Sequence, residues 1–306
     1  SNAEYSTDGG TSWSAYIGGV TLPADGLYSV VARNFLPATL APSCARVDGA
    51  ASAPLALKVD RTAPAFTDLG PTAGPNGLAS WYTVAVVNRF SVTDALAGVD
   101  VTCAAAFPKN VSTGTTEGTA VTVGSGACSD RAGNANAGIS SAGFMVDLTA
   151  PVITNDGPTT APNGAGWYKN AVVNAFSASD GVSGLAATCD ALFPKDVSTG
   201  TAEGTAVTVG SGVCSDVAGN TNAGMSSAGF MIDLTAPVIT DEGASAPPNL
   251  LGWYTAAAVN AFSASDAATR RGAVCAAAFP KDVSTGAAEG STVTVSSGPC
   301  SDNAGN

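Results

Sequence analysis

Aspartates and cysteines are the side chains of this 306-residue chain that could do chemistry, because histidine is absent. Ser-His-Asp triads, Cys-His dyads and histidine-ligated zinc are therefore excluded by inventory. Nine aspartates fall into three sets: Asp60, Asp94 and Asp130; Asp147, Asp180 and Asp216; Asp233, Asp266 and Asp302. In each set the first residue opens an Asp-x-Thr-Ala-Pro run, the second precedes a turn, and the third sits in Cys-Ser-Asp-x-Ala-Gly-Asn. If the intervening segments are antiparallel strands, both turns and the incoming run lie at one end of a domain, which gathers three carboxylates there. Hard oxygen ligands clustered at a linker suit Ca²⁺, which would stiffen the junction. The alternative is that each aspartate caps its own turn by accepting backbone N–H groups. In the third set Arg270 and Arg271 enter the corresponding turn and are expected to neutralise Asp266.

Six of the seven cysteines form pairs with one 25-residue spacing: Cys103 with Cys128, Cys189 with Cys214, and Cys275 with Cys300. The equal spacing predicts three disulfides, the pattern of structural bridges in an oxidising compartment. A clip on such a loop is worth roughly 3 kcal/mol by loop entropy. Cys44 is left over, either free or paired with a cysteine elsewhere.

Three further motifs are weaker. The run Ser6-Thr-Asp8-Gly-Gly10-Thr-Ser12-Trp13 approximates the Asp-box of sialidases with Ser12 in place of threonine, and reads as a hairpin turn. Lys109, Lys195 and Lys281 each follow Phe-Pro and read as solvated loop charge rather than as isopeptide donors, which need burial beside an acid. Trp81, Trp167 and Trp253, each followed by tyrosine, are either carbohydrate platforms or core fillers, and large aromatics usually fill cores. The chain shows no glycine-rich phosphate loop ahead of a helix, and no isolated pair of carboxylates suited to glycoside hydrolysis.

The scaffold that must position these groups is a repeat. The three tryptophans stand 86 residues apart, as do the first and the second cysteines of the pairs. Residues 103–130 and 189–216 differ at only 5 of 28 positions, so these are near-identical copies of one unit. Proline in the Asp-x-Thr-Ala-Pro runs at 60–64, 147–151 and 233–237 breaks strand pairing and marks a short stiff linker. Gly (36) and Pro (17) punctuate a chain whose apolar content is Ala, Val and scattered aromatics, which favours short strands over helices. A net charge of −12 makes nucleic acid and anionic membrane surfaces poor partners and cations good ones. No run of 18 apolar residues is available to span a membrane.

In the middle copy, alternation and turn residues predict strands at 151–154, 172–179, 184–189, 197–203, 205–214 and 229–233, with Trp167-Tyr168 leading into the second. Val172, Phe176 and Ala178 share one face, and the cysteines fall on neighbouring strands. Some seven strands in 86 residues fit an immunoglobulin-like sandwich.

The Cys-Ser-Asp-x-Ala-Gly-Asn runs at 128–134, 214–220 and 300–306, with a strand and Asp-x-Thr-Ala-Pro after the first two, resemble bacterial extracellular immunoglobulin-like repeats of the hyalin-repeat kind. The resemblance covers residues 61–306. It implies an all-β, elongated array of tandem immunoglobulin-like β-sandwich domains at the cell surface or in the extracellular medium. The expected divisions are 1–60 (a vector-derived Ser-Asn-Ala plus an incomplete domain), 61–147, 148–233 and 234–306, the last without its final strand. An open edge of that kind either accepts a strand from another chain or is completed by further residues. The expected function is a non-catalytic spacer or adhesive stalk. Its rivals are a module binding a glycan or an extracellular protein, and an accessory region of a secreted hydrolase.

Overall fold

The computed structural model describes residues 2–38, 45–266 and 273–306. The chain divides into two compact units, Ser1–Leu148 and Thr149–Asn306. Both are built mostly of short strands, with three short helices at Val101–Ala106, Ala187–Asp190 and Ala273–Ala278. Among the described residues no helix is long and apolar enough to cross a membrane. Cys44, Arg270 and Arg271 lie outside the described residues.

The first unit opens with a five-stranded sheet in the order Ser14–Ala15, Ala3–Ser6, Gly26–Leu36, Val47–Asp48, with Leu55–Val59 also pairing with the long Gly26–Leu36 strand. Ala3, expected to be part of a vector scar, pairs with Asn34 in this sheet. Beyond it, and twice more along the chain, an 86-residue period produces the same three-stranded antiparallel sheet. Its members are Ala65–Pro71, Val87–Thr93 and Lys109–Ser112 in the first copy and Val152–Pro158, Val173–Ser179 and Lys195–Ser198 in the second. In the third they are Val238–Ala244, Val259–Ser265 and Lys281–Ser284. A register shift between Asn155 and Gly157 marks a bulge, and Gly157 takes φ +96°, a conformation a side chain would strain.

Two apolar clusters make the core of the second copy. Ile153, Phe176, Cys189, Phe193 and Cys214 form one, beneath the three-stranded sheet. Tyr168, Val172, Phe230 and Ile232 form the other, inside a small sheet ordered Trp167–Tyr168, Phe230–Ile232, Gly204–Val207. Val209 packs against both. The alternation Val172, Asn174, Phe176 points inward as expected for a half-buried strand. Asn174 is fully buried; its Nδ2 donates to Asn155 Oδ1 and Ala175 O, while its Oδ1 receives no hydrogen bond.

Three strand expectations are corrected, the first being 197–203, since the strand there is Lys195–Ser198 and 199–203 forms a turn. Residues 184–189 were expected to be a strand, but only Leu185 makes a bridge, to Asp216, and Ala187–Asp190 is helical. Each first cysteine therefore sits on a helix and not on a strand neighbouring its partner. Alanine-rich Val101–Ala106 shows why: helix propensity is high, and Asp100 Oδ1 accepts Thr102 N at 2.9 Å as an N-cap. The second copy has Ala186 at that position, with no side-chain cap, and its helix is four residues rather than six. The expected strand 205–214 is likewise broken into Gly204–Val207 and Cys214–Ser215. The three disulfides form as predicted, Cys103–Cys128, Cys189–Cys214 and Cys275–Cys300.

Candidate metal centre

In the first two repeats the turn after the second strand meets the Cys-Ser-Asp turn by backbone pairing. In the first repeat Val99 bridges Asp130, Asp100 N donates to Ser129 O at 3.0 Å, and Arg131 N donates to Gly98 O at 3.0 Å. This pairing, together with the linker running into the repeat, gathers Asp60, Asp94 and Asp130 so that one carboxylate oxygen from each lies within 4.8 Å of the others. Asp233, Asp266 and Asp302 gather in the same way in the second unit. Asp147 ends the first unit fully buried, its N–H on Tyr82 O. In the second unit Asp180 Oδ1 accepts Val182 N and Gly184 N, and buried Asp216 accepts Gly219 N and Asn220 N.

Both readings of these aspartates have geometric support. Asp94 Oδ1 accepts Gly98 N at 2.7 Å, Asp60 Oδ2 accepts Ala97 N at 2.7 Å, and Asp130 accepts Asn134 N at 2.8 Å and Asn134 Nδ2 at 2.7 Å. That is turn capping. Burial works against ionisation of Asp130, yet the Asn134 amide and the backbone N–H groups of Asn134, Gly133 and Ala132 outweigh it and hold the carboxyl below its usual range. Capping leaves spare lone pairs, however, and anions this close repel. Two unit charges at 4.8 Å cost roughly 3.5 kcal/mol at an effective dielectric of 20.

Two oxygens bound to one Ca²⁺ at about 2.4 Å are at most about 4.8 Å apart, so these triads fit one ion. The third set adds a sharper sign. Asp233 is fully buried, its Oδ1 accepts Thr235 N, and no hydrogen bond reaches its Oδ2. A buried carboxylate oxygen without a donor is costly unless a cation supplies the missing interaction. Oxygen-only donors suit a hard cation such as Ca²⁺ rather than a soft metal.

The motif asparagine is a functional residue that the sequence reading passed over. Asn134 Nδ2 reaches back to Asp60 O at 3.0 Å and Thr62 O at 3.5 Å, and Asn306 Nδ2 does the same to Asp233 O at 2.9 Å and Thr235 O at 3.5 Å. One side chain thus closes its own turn and clamps the linker beside the carboxylates. Asn136 and Asn222 hold Pro64 O and Pro151 O two residues after that position. Glu117 and Glu203 take the linker N–H groups of Leu148 and Leu234. The invariant Asp-x-x-x-Asn spacing could have signalled this, since only the fold reveals where the spare amide N–H points.

The remaining candidates resolve individually. Trp81 is 6% exposed, Trp167 is half-buried and Trp253 is 56% exposed, so they form no uniform row of platforms. The lysines are not solvated loop charges: they begin strands, and Lys109, Lys195 and Lys281 donate Nζ to Ser125 O, Ser211 O and Ser297 O at 2.8, 2.6 and 2.6 Å. Each ties the first half of its repeat to the second. The Asp-box-like run is a side-chain-closed turn, with Asp8 accepting Ser12 N, Ser12 Oγ and Ser6 Oγ. Those bonds, the Ser12 hydroxyl first, hold the Asp8 carboxyl far below its usual range.

No family model, curated protein or solved structure matches this chain.

Proposed function

We propose that this chain is a non-catalytic, extracellular spacer of tandem immunoglobulin-like sandwiches, related to bacterial surface repeats, whose junctions are stiffened by Ca²⁺. The observation that carries the reading is the aspartate triad at a linker: Asp233, Asp266 and Asp302 converge within 4.8 Å, with Asp233 Oδ2 buried and unbonded. Asp60, Asp94 and Asp130 would hold a second ion at the equivalent place. A cation there bonds at once to the linker and to both turns of the following repeat, which is how a flexible connection becomes a rigid one.

The array reading draws on the 86-residue period and on the pairing of a three-stranded sheet with a second small sheet around Val209. Extracellular placement draws on the three disulfides, which persist in oxidising compartments. A non-catalytic role draws on the absence of histidine and on polar groups committed to turns and linkers. Adhesion through one end remains a role that spacers of this kind combine with projection.

The test is thermal unfolding of the chain in EDTA and in millimolar Ca²⁺. A ligand present at a hundredfold its dissociation constant stabilises the folded state by about 2.7 kcal/mol, so Ca²⁺ should raise Tm by several degrees. Asp233→Asn should remove the contribution of its junction. Superimposable melting curves with and without Ca²⁺ return all nine aspartates to turn capping.

A further inference from the structure

One asparagine builds the loop ahead of Trp167. Asn163 Oδ1 accepts Ala165 N at 3.0 Å and Trp167 N at 2.9 Å, while Asn163 N donates to Trp167 O and Gly166 N to Asn163 O, each at 2.9 Å. The side-chain carbonyl alone closes such a turn, which leaves the amide nitrogen spare. Repeat three shows the same turn with that nitrogen unspent: Asn249 Oδ1 accepts Leu251 N at 3.0 Å and Trp253 N at 2.9 Å, and among the described residues nothing receives Asn249 Nδ2. In repeat one Trp81 follows Asn76 by five residues where Trp167 follows Asn163 by four. Asn76 turns both ends of its amide on Thr83, accepting Thr83 N at 3.0 Å and donating to Thr83 Oγ1 at 2.7 Å.

Asn163 Nδ2 instead crosses into the next repeat. It donates to Asn303 O at 2.8 Å and Ala304 O at 3.1 Å, the two carbonyls that follow Asp302. Those carbonyls belong to the closed turn that holds the Asp302 carboxylate. Asp302 Oδ1 accepts Gly305 N at 2.7 Å and Asn306 N at 2.9 Å, its Oδ2 accepts Asn306 Nδ2 at 2.9 Å, and Asp302 N donates to Asn306 O at 3.3 Å. The turn is also covered: Ala304 is 3% exposed, whereas Ala132, its counterpart in repeat one, is exposed. Repeats two and three thus meet at a second point besides the linker, where Glu203 takes Leu234 N and Thr235 Oγ1.

We propose that residues 162–166 of repeat two are a docking surface for the Cys-Ser-Asp turn of a following copy of the repeat, and that Asn163 is a positioning residue for the cation site of that copy. One amide nitrogen shared between two consecutive carbonyls fixes where the turn sits, and with it the Asp302 carboxylate opposite Asp233 and Asp266. A ligand set held in place before the ion arrives loses less entropy on binding than one that must first be ordered. The positioning role rests on the Ca²⁺ reading of the triad, whereas docking itself needs no ion.

Asn163→Asp separates docking from closure of the loop, because a carboxylate still accepts Ala165 N and Trp167 N but meets the two carbonyls with no proton to give. In EDTA, amide exchange of the full chain read by mass spectrometry should become about tenfold faster across residues 301–306, the scale of a lost hydrogen bond, and stay unchanged across 163–167. Asn249→Asp, the same change in the same turn facing no carbonyl, should alter neither segment. Equal exchange with and without Asn163→Asp, or equal acceleration by Asn249→Asp, overturns docking. The Ca²⁺ measurement uses Asn163→Ser, which still accepts turn N–H groups and adds no charge. Calorimetric titration with Ca²⁺ should show the site that Asp233→Asn abolishes weakened about fivefold, and the site of Asp60, Asp94 and Asp130 unchanged. Equal weakening of both sites, or of neither, rules out the positioning role. A chain that takes up no Ca²⁺ while Asn163→Asp still loosens residues 301–306 removes the cation reading and the positioning role together, and leaves the docking surface standing.

Discussion

Repeats two and three share most of their sequence and differ in how much core they complete. Both build the sheet over the disulfide: Ile153, Phe176, Cys189 and Phe193 in one, and Phe262, Ala264, Cys275 and Phe279 in the other, are buried together. Among the described residues repeat two also builds the half around Tyr168, which closes on Phe230 and Ile232. The comparison teaches that a repeat holds two half-cores, one packed on its disulfide and one closed by a single strand. Burial of a large side chain is worth about 1.5–3 kcal/mol, so the strand carrying Phe230 and Ile232 contributes several kcal/mol to repeat two.

The sharpest test of that comparison is truncation on the strand-dependent side. Phe230→Ala should cost about 3–5 kcal/mol by denaturant unfolding, as a buried aromatic does, whereas Tyr254→Ala should cost less than about 1 kcal/mol. Equal costs would mean that repeat three has closed its second half by other means. Next in size are the disulfides. Removing Cys189–Cys214 or Cys275–Cys300 by paired alanine substitution should cost about 3.5 kcal/mol in either repeat, because both close loops of the same 25-residue separation. A much larger loss in repeat three than in repeat two would show its remaining half-core to be unable to stand without its clip.

The smallest expected effect distinguishes the same two repeats by acid. Asp241 of repeat three sits where repeat two has Asn155, and each accepts the Nδ2 of a strand asparagine, Asn260 or Asn174. The Asn260 amide, then the Gly243 N–H, hold the Asp241 carboxyl below its usual range. A depressed folded-state pKa contributes stability above the unfolded value near 3.8, lost as pH falls through the folded value. Repeat three should therefore lose stability below about pH 4 through this group, and Asp241→Asn should flatten that part of its pH profile. Repeat two has no such group at Asn155, and pH-dependent unfolding of the two variants side by side measures the difference.

Much of the architecture was legible in the residues. The period of 86, the cysteine pairing and the inward phase of Val172 and Phe176 follow from spacing and alternation alone, because a strand has only two faces and a repeated spacing has one consistent pairing. The Gly184–Cys189 segment misled, since Leu-Ala-Ala-Thr-Cys carries no periodicity strong enough to separate strand from helix in five residues. The lysines misled for a related reason: Phe-Pro-Lys reads as a turn, and the carbonyl that receives Nζ lies 16 residues away on another segment.

The aspartates divide along the same line. The grouping of Asp60 with Asp94 and Asp130, and of Asp233 with Asp266 and Asp302, could be read from the sequence, because antiparallel threading returns alternate turns to one end of a domain whatever the side chains are. Which oxygens are capped and which is left bare could not. Asp60 and Asp233 open the same linker motif, yet Asp60 Oδ2 receives Ala97 N while Asp233 Oδ2 receives no hydrogen bond. Hydrogen-bond satisfaction depends on tenths of an ångström and on the approach of chain segments far apart in sequence, and residue order fixes neither until the fold is closed.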